Sequence, residues 1–371
     1  MISRLARSTL LAGALALQSS WTPAREDYRW SFPRDHWAHP AYRTEWWYFT
    51  GQLQAAGDTA RRFGYQFTIF RIGLLPSPPA LRSDWAAQML VMGHAAITDL
   101  TAGTHEFSET LYRAIPLLGG FGEPGDSLVA WSRGPAGTVE PWTLRWRGGA
   151  FAFRMADRRR DVGLDLAATP ARPLVLEGPN GLSRKGEGAG AASLYYSFTR
   201  LATEGTLRFA GRDYLVRGES WMDKEFGSNQ LARNQIGWDW FSLQLDDGRE
   251  LMLYLLRDST GATDHAGGTV VSRSGAPRYL ERDGFSVRAL GQWVSRESGA
   301  AYPARWSVAV PGDSLQLLVE PLLADQENRS RLLPRLYYWE GAVLVRDDAG
   351  RSVGRGYVEL VGYGRGLRPA I

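Results

Sequence analysis

Six ionisable side chains stand inside otherwise apolar stretches: Glu45, His94, Asp99, Asp223, Glu225 and Asp239. A carboxyl group in such a setting is paired, protonated or turned to a cavity, because an isolated buried charge is too costly. Two carboxyl groups whose surroundings split their pKa values can act as general acid and general base. On this chemistry Asp223, Glu225, Asp239 and His94 are the catalytic candidates. The competing expectation is structural: Glu45 and Asp239 stand near the start of corresponding strands, where arginines and backbone amides can hold them, and His94 reads as a satisfied core residue.

Other chemistries find little support. Ser220, in Gly218-Glu219-Ser220-Trp221-Met222, lacks the second glycine of a nucleophile elbow and sits in a strand-rich context. His36 and His39 have metal-ligand spacing but no third ligand close in sequence, so a solvated loop pair is expected and no metal. No phosphate loop or dinucleotide motif occurs, and no cofactor is implied. The aromatic residues offer a binding function instead. Trp46, Trp47, Trp221, Trp238, Trp240 and Tyr254, with Glu45, are candidates to line a site for a hydrophobic small molecule or lipid.

The elements that must position these residues are hairpins. Residues 237–257 form two apolar runs joined by Asp246-Asp247-Gly248-Arg249, a tight-turn tip. With period-two alternation, Asp239, Phe241 and Leu243 share one face, and Trp238, Trp240 and Ser242 the other. The hairpin has an earlier counterpart: Trp46-Trp47-Tyr48-Phe49-Thr50-Gly51-Gln52-Leu53 aligns with Trp238 to Leu245, and Gly64 to Arg71 with Glu250 to Arg257. Further anchors follow in order, Arg145-Trp146 with Arg305-Trp306, Tyr195-Tyr196 with Tyr337-Tyr338, and Arg217-Gly218 with Arg355-Gly356. The series reads as one duplicated unit of short antiparallel strands, hence two domains. Ile115 to Gly125 and Gly178 to Gly190 read as surface loops.

Composition bounds the partners. Net charge is only +4 with Lys at 185 and 224 alone, and no basic run is interleaved with aromatics, so nucleic acid is excluded as a partner. Met1 to about Ala24 has the pattern of a secretory signal, with Arg4 and Arg7 before a short apolar run, and predicts a periplasmic or secreted protein. The absence of Cys excludes disulfides and thiol catalysis.

Five ordered motifs carry a family resemblance: EWWYFTG, FGYQFTIFR, Gly93 to Asp99, Gly218 to Gly227, and GWDWFSLQLDDGRELMLYLLR, with a late block over Leu336 to Tyr363. Over residues 36 to 365 the chain resembles the AttH-type lipocalin-like proteins, grouped with the carotenoid 1,2-hydratases and often labelled predicted secreted hydrolases. The resemblance implies an all-β fold of two tandem lipocalin-like (calycin) antiparallel barrels, with a signal at 1–24, an N-terminal domain at 25–228 and a C-terminal domain at 229–371. It also implies, by analogy, an envelope ABC-type export transporter as partner. The hydratases carry Asp-His-Asn-Trp where this chain has Asp223-Lys224-Glu225-Phe226. A Tyr-x-Asp expected on a following strand is not matched by Tyr254-Leu255-Leu256, which puts carotenoid hydration in doubt. The expected function is therefore binding or carriage of a hydrophobic, lipid- or isoprenoid-like ligand in the cell envelope, with a hydratase or hydrolase using acid-base carboxylates as the alternative. Two carboxyl groups sharing one open cavity favour the enzyme; carboxylates pinned by arginines favour the carrier.

Overall fold

The structure is a computed structural model that describes residues 20–79, 83–188, 190–229 and 231–364. Most of the signal expected at 1–24 therefore lies outside the described residues. The first thirteen strands are β1 (Thr44–Ala55), β2 (Asp58–Gly73), β3 (Met89–Asp99), β4 (Thr104–Arg113), β5 (Gly119–Phe121), β6 (Leu128–Ser132), β7 (Trp142–Arg147), β8 (Ala150–Asp157), β9 (Val162–Pro170), β10 (Val175–Leu176), β11 (Leu182–Arg184), β12 (Ala192–Phe209) and β13 (Arg212–Gly227). Ten more follow: β14 (Gln235–Leu245), β15 (Glu250–Asp258), β16 (Thr263–Val271), β17 (Pro277–Leu280), β18 (Ser286–Val294), β19 (Ala301–Val310), β20 (Leu315–Pro321), β21 (Glu327–Arg329), β22 (Tyr337–Arg346) and β23 (Ser352–Val361).

These strands make two curled antiparallel sheets, as the all-β reading predicts. The first runs β4-β3-β2-β1-β13-β12-β9-β8-β7-β6-β5 and is nearly a closed barrel; the second runs β17-β16-β15-β14-β23-β22-β20-β19-β18 and is a half-barrel. In each, the first long strand pairs with the last, β1 with β13 and β14 with β23. That shared closure carries the duplication. Its register differs from two of the dipeptide anchors. Trp46 pairs with Glu225, which pairs with Tyr195; Trp238 pairs with Val361, which pairs with Tyr338. Tyr195 thus corresponds to Tyr338, not Tyr337, because a one-residue slip would turn the side chain to the other face. Arg145-Trp146 lies on β7, one strand removed from the counterpart of β19.

Several strands escape the sequence pattern. Thr104–Arg113 is a full strand whose Ser108, Glu109 and Thr110 are buried, so no apolar alternation marks it. The loop expected over Ile115 to Gly125 contains β5. β12 is one long strand, Ala192–Phe209, with a bulge between Phe198 and Leu201.

Alternation divides most of the strand aromatics between three cores, and Tyr42 and Phe226 join a fourth, smaller one. Trp47, Phe49, Phe67 and Phe153 fill the first barrel; Phe241, Trp306, Trp339 and Val358 fill the second. The outward faces of the two closures then pack on each other through Tyr48, Tyr195, Trp221, Trp240, Tyr254 and Tyr357. Corresponding glutamines fasten this junction. Gln52 Nε2 donates to the Val343 and Gly356 carbonyls at 2.9 and 3.1 Å, and Gln244 Nε2 to those of Thr199 and Ser220 at 2.7 and 3.1 Å.

Candidate functional site

A cavity of about 440 Å³ opens within this junction. Its volume falls in the range of small-molecule sites, roughly 300–1,000 Å³. Ile72, Leu90, Met92, Leu111, Leu333 and Leu336 make an apolar stretch of the wall, and Trp46, Trp238 and Trp240 add aromatic faces. Asp223, Glu225, Glu359, Lys185, Tyr195 and His94 supply the polar groups. Strand geometry explains their convergence: on β13, Trp221, Asp223 and Glu225 alternate with residues that face the first barrel, and on β23 Glu359 alternates with Val358 and Leu360 of the second core.

Asp223 is buried among neutral donors. Ser197 Oγ and Trp221 Nε1 donate to Oδ1 at 2.6 and 2.7 Å, and the Tyr195 hydroxyl donates to Oδ2 at 2.6 Å. Trp240 Nε1 in turn donates to the Tyr195 oxygen at 3.2 Å. Burial raises Asp223 to about 7, the hydrogen bonds from Ser197, Tyr195 and Trp221 opposing it and Glu225 adding to it. Oδ1 thus accepts two hydrogen bonds and Oδ2 one.

Glu225 is different. Lys185 Nζ lies 2.8 Å from Oε1, and Ser193 donates to the same oxygen. Burial pulls Lys185 down, but Glu225 and Tyr254 outweigh it and keep the ammonium charged, 4.5 Å above the Tyr254 ring. Across the cavity, half-buried Glu359 accepts from Trp238 Nε1 at 2.9 Å; burial, with Asp223 and Glu225, raises it to about 7. His94 Nδ1 bonds the Tyr338 hydroxyl at 2.9 Å, and burial lowers the imidazole to about 3, so the ring is neutral.

The other sequence candidates are distributed differently. Glu45, Trp46, Trp238, Trp240 and Tyr254 stand in the wall with Asp223, Glu225 and His94. Trp47 faces the first barrel, and Trp221 lies behind the wall, its indole bonded to Asp223. Asp239 lies outside the wall, on the second barrel's side of β14, held by Arg257 Nε at 2.9 Å and the Tyr363 hydroxyl at 2.9 Å. Asp99 caps the turn after β3, accepting from the Thr101 and Ala102 amides at 3.0 and 2.9 Å. Ser220 faces inward, bonded to Tyr65 at 2.6 Å and Thr203 at 2.7 Å, with no histidine. His36 and His39 are not a solvated pair. Both are buried, one against the Tyr196 hydroxyl and the other against Glu45, each at 2.6 Å, because the segment before β1 folds over the end of the barrel. Among the described residues no group of three His, Asp or Glu could hold a metal ion.

Sequence reasoning missed Glu359, Lys185, Tyr48 and Tyr195 as members of the site. Glu359 carried the same signal as Asp223, one acid in the apolar run Gly356 to Val361.

The AttH-like family profile matches residues 23–363. The chain belongs to the AttH-like family. An AttH-assigned protein of Nitrosomonas europaea shares 33% identity over 93% of this chain and 100% of its own, with a TM-score of 0.80. Kievitone hydratase from Nectria haematococca shares the fold at 13% identity and a TM-score of 0.65, over 93% of this AttH-like chain and 96% of the hydratase. No curated protein matches the sequence.

Proposed function

We propose that this AttH-like protein is an acid-base enzyme of the hydratase type, acting on a lipophilic substrate with Asp223 as the proton donor to a carbon–carbon double bond. The observation that carries this reading is the company Asp223 keeps. It faces an apolar cavity, its hydrogen-bond partners are a tyrosine, a serine and a tryptophan, and among the described residues no arginine or lysine bonds it. A carboxyl group so held, raised to about 7, keeps its proton in a large share of molecules near neutral pH and can give it up. Protonating an alkene leaves a cationic carbon, and Trp46, Trp238 and Trp240 in the wall supply aromatic groups of the kind that can stabilise one. Water then adds to the cation.

The departures from the hydratase motif bear less on the cavity than they do in sequence. Lys224 faces the first barrel, 3.4 Å over the Trp47 ring, and Phe226 stacks on His39. Kievitone hydratase supports the reading at the level of the fold alone. Ser220, bonded inside the barrel, offers no hydrolytic nucleophile.

The test is to incubate the protein with farnesol, linalool and α-terpineol in water enriched in ¹⁸O and to read the alcohols by mass spectrometry. Turnover puts ¹⁸O into a product, and Asp223→Asn lowers its rate by about 10²-fold or more. Probes that bind and are returned unlabelled by both proteins would overturn the enzyme reading in favour of a carrier.

A further inference from the structure

Addition of water needs a group to take a proton as well as one to give it. Asp223 has a counterpart in the second half: Asp223 pairs with Tyr48 on β1, and Glu359 pairs with Trp240, the residue that corresponds to Tyr48, on β14. The two acids therefore enter the cavity from equivalent strand positions on facing sheets. Glu359 is not alone. Its cross-strand partner on β22 is Glu340, fully buried, with Oε2 accepting from Asn328 Nδ2 at 3.3 Å and Oε1 without a hydrogen bond. The Tyr48 hydroxyl faces Glu340 closely enough that each perturbs the other's titration.

We propose that Glu359 is the second catalytic residue of this cavity, the base that takes a proton from the attacking water, with Glu340 behind it as an acid that stays neutral. The assignment rests on the acid-base reading above. Two carboxyl groups opposed on neighbouring strands, one of them fully buried, do not both ionise readily. Burial, and the charge of Glu359, push Glu340 far above the ordinary carboxyl range. The single negative charge settles on Glu359, which has both the Trp238 donor and access to the cavity. The groups facing Glu359 are Glu340 and Tyr338 from β22, Tyr48 from β1, and Asp223 and Glu225 from β13. No cation pairs with it among the described residues.

The step balances. Asp223 gives its proton to one alkene carbon as the π bond breaks, the water oxygen bonds the neighbouring carbon, and Glu359 takes a proton from that water. The product is an alcohol; Asp223 is left as carboxylate and Glu359 as acid, and return of that proton through solvent resets both. No oxidant or reductant is needed.

Infrared difference spectra of the full chain between pH 5 and pH 9 follow the protonated-carboxyl bands directly, without a substrate. Glu359→Gln should remove one band that titrates near neutrality and leave the band that Asp223→Asn removes. Glu340→Gln, which exchanges one neutral group for another, should leave the Glu359 band titrating near neutrality. With farnesol, Glu359→Gln should keep tryptophan-quenching affinity within about threefold while hydration slows by about 10²-fold. An unchanged spectrum in Glu359→Gln, or a wild-type rate, overturns the assignment, as does loss of farnesol binding, which marks a structural role. If no probe turns over even with the native protein, the enzyme reading has failed, and the spectra still decide whether Glu359 shares a proton with Glu340.

Discussion

Glu45 and Asp223 stand on adjacent strands of one sheet, both buried, and chemistry separates them. Glu45 is surrounded by basic groups: Arg71 Nε lies 2.7 Å away, Lys224 Nζ bonds it directly although burial lowers that amine to about 7, and His39 contributes its ring at 2.6 Å and its amide at 2.9 Å. Burial alone would raise this carboxyl, but Lys224, Arg71 and His39 hold it well below the usual range. Asp223 meets neutral donors and stays near 7. Depth does not distinguish the two, since Glu45 is 0% and Asp223 3% exposed. Counter-charge does. A buried carboxylate ringed by cations holds strands together, while one ringed by hydroxyl and indole groups is left with a proton to exchange.

The sharpest way to break this contrast is to remove a cation from Glu45. Lys224→Met removes one partner of a buried carboxylate and leaves it to Arg71 and His39, and breaking a buried pair costs about 3–5 kcal/mol. Urea titration should show a large loss of midpoint with little change of slope. A loss below about 1 kcal/mol would mean that Glu45 takes up a proton at little cost, and the distinction from Asp223 would fail.

The same chemical change at the two acids should then give opposite results. Glu45→Gln leaves Arg71 and Lys224 facing each other without a charge between them, which destabilises by about 3 kcal/mol. Asp223→Asn replaces a neutral acid by a neutral amide of the same shape. Its cost should stay near 1 kcal/mol, from a misplaced amide hydrogen against Trp221, while turnover falls by about 10²-fold. Denaturation and rate measured on both variants separate the roles.

Stability against pH sharpens the comparison further. Asp223 is raised to about 7 from an unfolded value near 3.8, so between these limits the folded state binds more protons and stability falls as pH rises. Glu359, raised to about 7, and Glu177, raised to about 8, act in the same direction. Glu45 acts oppositely. Its contribution is present above the unfolded value and is lost as pH falls through the depressed folded one. Between pH 5 and pH 7, Asp223→Asn should flatten the decline by about 1 kcal/mol per pH unit. A decline equally steep in the variant would place the proton elsewhere.

Much of this is legible in the sequence, and the limit has a physical form. Period-two alternation along Trp238 to Leu245 assigns faces correctly, and the repeat of that pattern in Trp46-Trp47-Tyr48-Phe49 is enough to announce two similar closures. What alternation does not say is which face meets the other sheet. Trp46 and Trp47 look equivalent in sequence, yet one lines the cavity and the other fills a barrel. Nor does a strand reveal the partners of its acids. Asp223 and Glu45 both read as single carboxylates in apolar runs, and the cations that distinguish them come from Arg71 and Lys224, each brought alongside only by strand pairing. Glu359 escapes notice for the same reason, since its partner Glu340 lies nineteen residues earlier and meets it only across β22 and β23.

Asp239 gives the smallest expected effect and the cleanest control. Its face of β14 points away from the cavity, and Arg257 binds it while donating a second hydrogen bond to the Val361 carbonyl. Arg257 corresponds to Arg71 in the first half, so each half uses that arginine to hold a carboxylate near the end of its closure. Burial raises Asp239, and Arg257 and Tyr363 oppose that rise without reversing it. Partial exposure of the pair, 9% and 12% for the two side chains, gives Arg257 some water when its partner is neutralised. Asp239→Asn should therefore cost about 1–2 kcal/mol, less than Glu45→Gln, and leave hydration of a probe such as farnesol within about twofold of the native rate. Equal loss of turnover in Asp239→Asn and Asp223→Asn would dissolve the distinction between clamped and unclamped acids, because it would show catalysis following the general integrity of the closures rather than the proton on Asp223.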